Sequence, residues 1–403
     1  MHSVIVVGGG PAGVAAAVAA KREGQSVLLI ERYGFLGGMA TAGLVNPFMV
    51  TLGAGGLYQE FLERLEKWDA RKDRTFDGEL TKLVLDEWLQ EEGVDILFHG
   101  LLTDAEVEGG YIKSIKVVGK GEELEFAASY FIDCTGDGDL AKLAGVPMNM
   151  GREADGLCQP MTTCFQVGGV DDELMLTREE LTKLYLEAKA QGKLNNPREN
   201  LLWFRTIRPG EVHFNTTRVV GKNPVSLQEL TEAELEARRQ LAETFAWLKK
   251  EVPAFKNAYI MRIAAQIGVR ESRTIQGAYQ LTEDDVLSCR KFDDAIGKCS
   301  YPIDIHSPQG EGTRIAALPK GEWYEIPYRT LYSPAVENLL VAGRCISSTH
   351  EAQASLRIMP TCMVMGQAAG VAAAMASAGN LPVSQVPVPE LQAKLKAKGA
   401  DLR

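Results

Sequence analysis

A glycine-rich turn lies between a short apolar strand and a helix near the N-terminus of the chain. Residues 3–7, SVIVV, form an apolar β-branched run typical of a buried parallel strand, and the turn GGGPAG follows directly. The next stretch, VAAAVAAKREG, predicts an alanine-rich helix that ends at Gly24, and a second strand, SVLLIE, ends in Glu31. A strand, a tight turn, a helix and a further strand in this order predict an α/β fold.

The turn carries the spacing G-x-G-x-x-G, with glycines at positions 8, 10 and 13. The first glycine permits a tight turn, the second lets backbone approach a pyrophosphate, and the third lets helix and strand pack closely. Free N–H groups at the helix N-terminus attract phosphate. A carboxylate at the end of the second strand can accept hydrogen bonds from ribose hydroxyls. The pattern therefore predicts a dinucleotide site formed by Gly8, Gly10, Pro11, Ala12, Gly13 and Glu31.

Composition and charge argue against several other classes of protein. The 403 residues are 45% hydrophobic and 24% charged, and the formal net charge of −10 argues against a nucleic-acid-binding surface. No apolar run approaches the roughly 20 residues needed to span a bilayer, and strand-like residues from Ser3 onward leave no room for a signal peptide. Seven cysteines without a C-x-x-C pair fit reduced thiols. We therefore expect a cytoplasmic enzyme without a nucleic-acid or membrane partner.

A second glycine pair follows the acidic residue, in the segment RYGFLGGMATAG. It offers another place where backbone can approach a ligand, with a purely structural turn as the alternative. With this segment the sequence resembles the FAD-dependent oxidoreductases of the glutathione-reductase-like superfamily, in IVVGGGPAG, ERYGFLGGMATAG, FIDCTGDGDLAKLAG and NLLVAGRCISSTHEAQASLR. The resemblance implies FAD contacts at Arg32, Gly37, Gly38, Met39, Ala40, Thr135, Gly136, Asp137, Gly343, Arg344, Arg357 and Ile358.

A change in character from about residue 151 and a returning buried strand at 339–342 predict how the chain is divided into domains. Residues 1–150 and 326–403 would form a discontinuous, Rossmann-like FAD-binding domain, whose parallel sheet carries a β-hairpin insert. Residues 151–325 would form an α+β substrate domain. No second complete G-x-G-x-x-G unit occurs, so we expect no inserted NAD(P)H domain of the kind found in disulfide reductases. A dissociable NAD(P)H is a candidate electron partner.

The C-terminal stretch STHEAQASLRIMPTCMVMGQAAG predicts a polar loop followed by a helix of low side-chain bulk. Pro360 suits the first turn of that helix, whose small residues would pack against the first helix or the cofactor. A helix N-terminus stabilises negative charge, and the resembled family closes its FAD site with such a helix. In the loop, His350 is either a general acid–base or a hydrogen-bonding loop residue. Glu351 suits a structural or ribityl contact, and Arg357 suits a counter-charge to flavin or diphosphate.

Two stretches of the middle segment carry candidate substrate-binding and proton-transfer groups. QIGVRESRTIQG holds Arg270 and Arg273, which suit a substrate carboxylate or a developing oxyanion, although an ion-pair network is the better alternative for Arg273. CSYPIDIHSPQG holds Asp304 and His306 on one strand face, as a partner and its base, with a structural histidine as the alternative. An aromatic floor for a cyclic or sugar-like substrate is a further hypothesis, on Trp203, Phe204, Tyr301, Trp323 and Tyr324.

These observations predict an FAD-dependent oxidoreductase of the dehydrogenase or reductase type. Hydride would move between a small-molecule substrate and non-covalent FAD, because no histidine follows Gly38 where the succinate dehydrogenase type attaches its flavin. His306 or His350 would handle the coupled proton, and Arg270 would fix the substrate. The alternatives are a monooxygenase, a flavin-binding electron-transfer module and, with less support, an NAD-only dehydrogenase. No metal-ligand spacing is present, and a homo-oligomer is an open expectation.

Overall fold

A computed structural model describes residues 2–310 and 312–403 of the chain. Its strands form two larger sheets and several short two-stranded ladders. The strands are β1 (His2–Val7), β2 (Val27–Ile30), β3 (Arg71–Lys72), β4 (Thr75–Phe76), β5 (Asp95–Leu97), β6 (Leu101–Glu108), β7 (Tyr111–Val118), β8 (Glu123–Asp133), β9 (Met148–Met150), β10 (Phe165–Gly168), β11 (Trp203–Arg205), β12 (Val212–Phe214), β13 (Tyr259–Ile263), β14 (Arg273–Ile275), β15 (Ala295–Cys299), β16 (Ile303–His306), β17 (Thr313–Ala316), β18 (Tyr324–Pro327) and β19 (Leu339–Val341).

The helices differ widely in length, and several begin at a proline or a capping side chain. Asp77 caps the helix Gly78–Glu92, because its carboxylate accepts hydrogen bonds from free N–H groups of the first turn. The distance from the Glu79 nitrogen to the Asp77 carboxylate oxygen is 2.8 Å. The helices are α1 (Pro11–Arg22), α2 (Leu57–Lys67), α3 (Gly78–Glu92), α4 (Asp139–Leu143), α5 (Arg178–Ala190), α6 (Leu227–Glu251), α7 (Glu283–Leu287), α8 (His350–Leu356), α9 (Met359–Gly379) and α10 (Val388–Ala397).

The main sheet has parallel strands in the order β5-β2-β1-β8-β19. Because β1 lies between β2 and β8, its C-terminal residues are buried, which accounts for their apolar β-branched character. The N-terminal half of β8 continues into an antiparallel ladder with β7 and β6. The predicted α/β class, with a parallel sheet and a hairpin insert, is confirmed. The carboxyl ends of β1, β8 and β19 meet at one edge, where such sheets bind ligands.

The small residues of α9 bring its backbone into contact with α1. A Cβ on Gly366 would lie 2.0 Å from the carbonyl oxygen of Ala12, and a Cβ on Gly370 would lie 2.3 Å from that of Ala16. The low bulk of this helix therefore serves packing against the first helix, one of the two predicted partners. The helix α9 has 21 residues, and an 18-residue window of it has a mean hydropathy of 1.3, so by length and composition alone it could cross a membrane. The expectation that no apolar run reaches that length was wrong, but 78% of the 18-residue window is buried inside the protein, as in a core helix.

A second sheet, antiparallel and in the order β11-β12-β10-β13, forms with α5 and α6 a separate apolar cluster. Phe165 and Phe214 stack in this cluster with ring centroids 4.9 Å apart. Residues Ile275, Phe292 and Cys299 instead share the apolar cluster of β1 and α1. Part of the predicted substrate segment therefore packs on the core of the main sheet. The domain boundaries at residues 150 and 326 stay a prediction.

The polar stretch before α9 is helical, where the sequence predicted a loop. Thr349 begins α8 by accepting a hydrogen bond from the Ala352 N–H at 3.3 Å, and His350 and Glu351 occupy the first helical turn. Arg357 follows the last residue of α8, and Ile358 directly precedes α9. The break between two helices therefore lies at Arg357 and Ile358, which places both residues at the N-terminus of α9.

Candidate functional site

One large cavity, of about 840 Å³, lies at the carboxyl edge of the main sheet. Its lining comes from the turn after β1, the segment after Glu31, the turn after β8, the turn after β19 and the N-terminus of α9. The remaining wall is contributed by residues between 162 and 315, which belong to the predicted substrate segment. Its volume lies within the range of about 300–1,000 Å³ that is typical of small-molecule and cofactor sites.

Two glycine turns touch each other at one end of this cavity. The Gly37 N–H donates a hydrogen bond to the carbonyl oxygen of Gly9 at 2.8 Å, which joins the two turns. A Cβ on Gly38 would lie 2.9 Å from the Cα of Gly10, so the backbones meet closely. A Cβ on Gly10 would meet nothing nearer than 3.9 Å, and Gly10 faces the cavity at the N-terminus of α1. This open backbone at a helix N-terminus fits a diphosphate.

Glu31 lies at the same end of the cavity with 7% of its surface exposed. Its carboxylate accepts hydrogen bonds from the Gly9 N–H at 2.7 Å and from the Tyr33 N–H at 2.9 Å. Each carboxylate oxygen accepts one of these bonds and keeps a further lone pair. The side chain is therefore fixed in place and retains the capacity to accept hydrogen bonds from ribose hydroxyls, so the residues present fit an adenosine diphosphate moiety.

Most of the predicted cofactor and catalytic residues line this cavity. The lining includes Gly8, Gly10, Pro11, Ala12, Glu31, Arg32, Gly38, Met39, Thr135, Gly136, Asp137, Arg270, His306, Gly343, Arg344, Arg357 and Ile358. Among them, Arg344 donates to the carbonyl oxygen of Gly136 at 2.7 Å and pairs with Asp137 at 2.5 Å. These contacts tie the turn after β8 to the turn after β19.

Four predicted site residues do not line the cavity, for a packing reason in each case. A Cβ on Gly13 would lie 1.8 Å from the carbonyl oxygen of Gly8, so Gly13 serves helix–strand packing. Gly37 is turned toward the Thr41 side chain at φ +104°, and Ala40 is 3% exposed in the main core. His350 is buried outside the cavity lining, against the carboxylate of Glu271.

The His350 ring lies against a buried carboxylate and not against the cavity. Its Nδ1 is 2.7 Å from Oε1 of Glu271, and the two side chains are 5% and 2% exposed. The other carboxylate oxygen accepts a hydrogen bond from the Gln159 N–H at 2.8 Å. Of the two interpretations open for His350, a structural hydrogen bond fits these contacts and a general acid–base does not.

Arg270 lines the cavity and is held by fixed acceptors. One of its guanidinium nitrogens donates to the carbonyl oxygen of Pro160 at 2.7 Å and to Oγ1 of Thr162 at 2.6 Å. Burial and the nearby charges of Arg198 and Arg357 lower the pKa of Arg270 to about 9. Arg273 instead forms an ion pair with Asp139, as the predicted ion-pair network requires.

His306 is held by hydrogen bonds that decide which ring nitrogen carries its proton. Nη2 of Arg218 lies 2.9 Å from Nδ1 of His306, and a guanidinium can only donate. Nδ1 is therefore the acceptor, and the neutral ring carries its proton on Nε2. Burial has the largest effect on the pKa of His306 and lowers it far below its ordinary value. The positive charges of Arg270, Arg198 and Arg357 lower this pKa further. His306 thus presents an N–H donor and resists taking up a second proton.

Asp304 shares this wall of the cavity with His306 and Tyr301. The Tyr301 hydroxyl donates to Oδ2 of Asp304 at 3.2 Å, and Nε2 of His306 lies 3.7 Å from Oδ1. Burial, and to a smaller extent the negative charge of Asp304, raises the pKa of Tyr301 to about 12, so the phenol keeps its proton. Asp304 is therefore a carboxylate on the cavity wall, in contact with Tyr301 and His306, whereas the sequence assigned it only as a partner to the histidine.

The proposed aromatic floor is only partly assembled. Phe204 and Tyr301 line the cavity, and Trp203 and Tyr324 are buried in the apolar clusters. Trp323 packs against Lys291 and Lys298 outside the lining.

Residues between 162 and 315 form the wall of the cavity that belongs to the predicted substrate segment, called the substrate wall below. Sequence reasoning missed several polar residues of this wall. Arg198, Glu199, Asn200 and Asn215 line the cavity, and Arg218 supports His306 from behind. The run NNPREN before β11 is polar apart from Pro197 and gave no signal of a cavity residue, yet Arg198 within it is 3% exposed in the structure. Burial of that arginine depends on contacts made by the folded chain. Within residues 2–310 and 312–403, no cluster of three metal-ligating side chains occurs.

Solved structures with a similar fold include a hydroxylase and a monooxygenase. CabE, an aromatic hydroxylase from angucycline biosynthesis, matches at 13% identity and a TM-score of 0.50, with 98% of this chain and 68% of that chain covered. The p-nitrophenol 4-monooxygenase PnpA from Pseudomonas putida DLL-E4 matches at 12% identity and a TM-score of 0.50, with 98% and 83% covered. At 12–13% sequence identity, the similarity to these two structures shows only that the fold is shared.

None of the curated protein sequences matches this chain. The family model described as FAD dependent oxidoreductase matches residues 3–395, which include both glycine turns, the substrate wall and α9. Because this match spans nearly the whole chain, the protein belongs to the FAD-dependent oxidoreductase family.

Proposed function

We propose that the protein catalyses the two-electron oxidation or reduction of a small molecule. FAD would occupy the part of the cavity lined by the glycine turns and Glu31, and the substrate would occupy the part lined by Arg270, Asp304 and His306. The observation that carries the proposal is that both parts belong to one continuous cavity. A substrate and a cofactor in one enclosed space can react without a mobile carrier between them.

FAD, when bound, supplies the acceptor or donor of a hydride in such a reaction. The chain's own residues would hold the substrate and move the accompanying proton. Arg270, fixed by Pro160 and Thr162, orients the substrate, and Asp304 accepts a proton from it or returns one to it. His306 donates the Nε2–H hydrogen bond to a substrate oxygen on which negative charge develops.

This proposal changes the role predicted for His306. Proton acceptance at Nε2 would require the ring's proton to move to Nδ1, where the Arg218 N–H already points. Acceptance of a second proton would place an imidazolium beside four arginines. His306 therefore acts as a neutral donor, and proton transfer falls to Asp304, the neighbouring carboxylate.

The test compares Asp304→Asn with wild-type protein in anaerobic stopped-flow experiments. Purified protein should be yellow and release FAD on denaturation, and compounds that bleach the flavin absorbance should be sought among hydroxy acids, polyols, amines and NAD(P)H. Asp304→Asn should keep its FAD and lower the bleaching rate by about 100-fold or more. Gln309→Glu, an exposed change on the same stretch of chain, should leave the rate unchanged.

Three outcomes would redirect the proposal. An unchanged rate in Asp304→Asn removes this carboxylate from proton transfer. Bleaching by NAD(P)H alone, followed by substrate-dependent oxygen consumption with a hydroxylated product, supports the monooxygenase alternative. Flavin that no small molecule bleaches, but that exchanges electrons with another protein, supports the electron-transfer module. NAD(P)H as a partner remains a prediction of the sequence that this panel tests directly.

A further inference from the structure

Four arginine side chains surround His306 at the substrate wall. Arg198, Arg218, Arg270 and Arg357 each depress the proton affinity of this ring through their charge. The acidic groups among them are Glu199, which pairs with Arg218 at 2.9 Å, and Asp304. Four positive charges against two negative charges leave an excess of two positive charges in a largely enclosed space. Such an excess is costly unless an anion neutralises it.

Two of these arginines also hold buried N–H groups that find no acceptor within the described residues. Nη1 of Arg198 and Nε of Arg357 are both solvent-inaccessible and make no hydrogen bond. The Arg198 residue is 3% exposed, and its Nε reaches the Asn200 side chain only at 3.3 Å. Buried donors of a charged group are rarely left unpaired, because each forfeits its hydration. These two nitrogen atoms are shielded from the cavity as well, but both residues line it, so the charge of their guanidinium groups acts on a ligand bound there.

The diphosphate of FAD does not account for this arginine cluster. The open backbone that fits a diphosphate is formed by Gly10 and Gly38 at the N-terminus of α1. Arg198 instead precedes β11, and Arg270 is anchored on Pro160 and Thr162 in the same wall. Arg198 and Arg270 therefore belong to the half of the cavity proposed for the substrate, and Arg357, between α8 and α9, lines the same cavity.

We infer that the substrate is a small organic anion that carries a carboxylate, bound by Arg198, Arg270 and Arg357. Arg198, Arg270 and Arg357 all line one cavity, and guanidinium–carboxylate hydrogen bonds are among the stronger ones in proteins. His306, as a neutral donor, would contact a second oxygen function of the same molecule. The inference rests on the proposed function and specifies the class of its substrate.

The test measures ligand binding to the FAD-loaded protein by flavin difference spectra, in the absence of turnover. The probes are succinate, glycolate and benzoate, each paired with its neutral amide, and inorganic phosphate as a non-carboxylate anion. At least one carboxylate should bind about 10-fold or more tightly than its amide, and more tightly than phosphate. Arg198→Gln and Arg357→Gln should each weaken that binding by about 10- to 100-fold while retaining FAD.

Arg314→Gln is the matched control, because Arg314 is exposed on β17, beside the strand that carries His306, and pairs with Glu283. It should leave carboxylate affinity unchanged. The comparison of acid with amide uses wild-type protein, so misfolding of a variant cannot mask the result. Equal affinity for acids and amides, or preference for phosphate, overturns the carboxylate assignment.

The inference and the proposed function fail in different ways. If a neutral compound bleaches the flavin and no carboxylate binds, the oxidoreductase function stands and the carboxylate inference is wrong. If carboxylates bind with the expected arginine dependence but no compound bleaches the flavin, the anion site stands and the proposed function is wrong.

Discussion

Gly10 and Gly38 meet backbone to backbone where the two glycine turns close one end of the cavity. A Cβ on Gly38 would approach the Cα of Gly10 to 2.9 Å, whereas a Cβ on Gly10 would reach nothing closer than 3.9 Å. The two turns come from different parts of the sequence, on either side of α1 and β2. Their contact leaves one face of Gly10 open to the cavity, and that face is where a diphosphate can approach the helix N-terminus.

Gly10→Ala should weaken FAD binding without harming the fold. The new methyl group meets no protein atom within 3.9 Å, but it would occupy the space proposed for the diphosphate. We expect FAD affinity to fall about 10-fold or more, measured by flavin fluorescence titration, with the apoprotein Tm within about 2 °C of wild type.

Gly13→Ala is the contrasting variant, because its Cβ would lie 1.8 Å from the carbonyl oxygen of Gly8. We expect it to destabilise the apoprotein by about 3 kcal/mol or more, since backbone must move. Similar Tm losses in both variants would contradict this separation of a binding glycine from a packing glycine.

Gly366→Ala should destabilise the protein through the contact between α9 and α1. Its Cβ would lie 2.0 Å from the carbonyl oxygen of Ala12, and the two helices must separate to admit it. We expect the free energy of unfolding to fall by about 1–3 kcal/mol in urea titrations. Gly119→Ala, in an exposed hairpin with no atom nearer than 3.9 Å, should change it by less than about 0.5 kcal/mol. Equal effects would show that the helix contact tolerates a methyl group.

His350→Gln should affect stability and not catalysis. The substitution removes the ring that lies 2.7 Å from the buried carboxylate of Glu271, and we expect a loss of about 1–3 kcal/mol in the free energy of unfolding. The rate of substrate-driven flavin bleaching should stay within about twofold of wild type. His2→Gln, whose partner Asp95 is largely exposed, should change stability by less than about 0.5 kcal/mol. A bleaching rate lowered about 100-fold in His350→Gln would restore this histidine as an acid–base candidate.

His213 should make the apoprotein less stable as the pH falls below about 6.5. Burial lowers the pKa of His213 to about 3, and neither ring nitrogen has a hydrogen-bond partner among the described residues. Above about pH 6.5 the ring is neutral in both states. Between about pH 6.5 and 3 the unfolded chain binds a proton that the folded chain does not, so stability is lost as the pH falls.

The measurement compares His213→Leu with wild type in urea titrations at several pH values. The wild type should lose up to about 1.4 kcal/mol more per pH unit than the variant over this range, and the difference should be constant above about pH 7. His306 acts in the same direction in both proteins, so some dependence will persist in the variant. Parallel stability curves for the two proteins would show that His213 does not titrate as its burial requires.

The cofactor end of the cavity could be predicted from the sequence because its parts lie close together along the chain. The turn after β1, the helix α1 and the acid after β2 follow one another directly from the N-terminus, and local backbone geometry alone requires glycine at such turns. The prediction named Gly10, Glu31 and Gly38 as cofactor contacts, and all three line the cavity. It did not separate the glycines that pack from those that face the ligand.

The substrate end was decided by tertiary structure. The proton position on His306 depends on its hydrogen bond with Arg218, which is distant in the chain. No local sequence pattern predicts that these two side chains are in contact. His350 and His306 looked alike in sequence, and only folding buried one against Glu271 and set the other on the cavity wall. The sequence thus determined the α/β framework and its nucleotide turn through local spacing. Which charges converge on the substrate depends on long-range packing, because electrostatic interactions act through space and not along the chain.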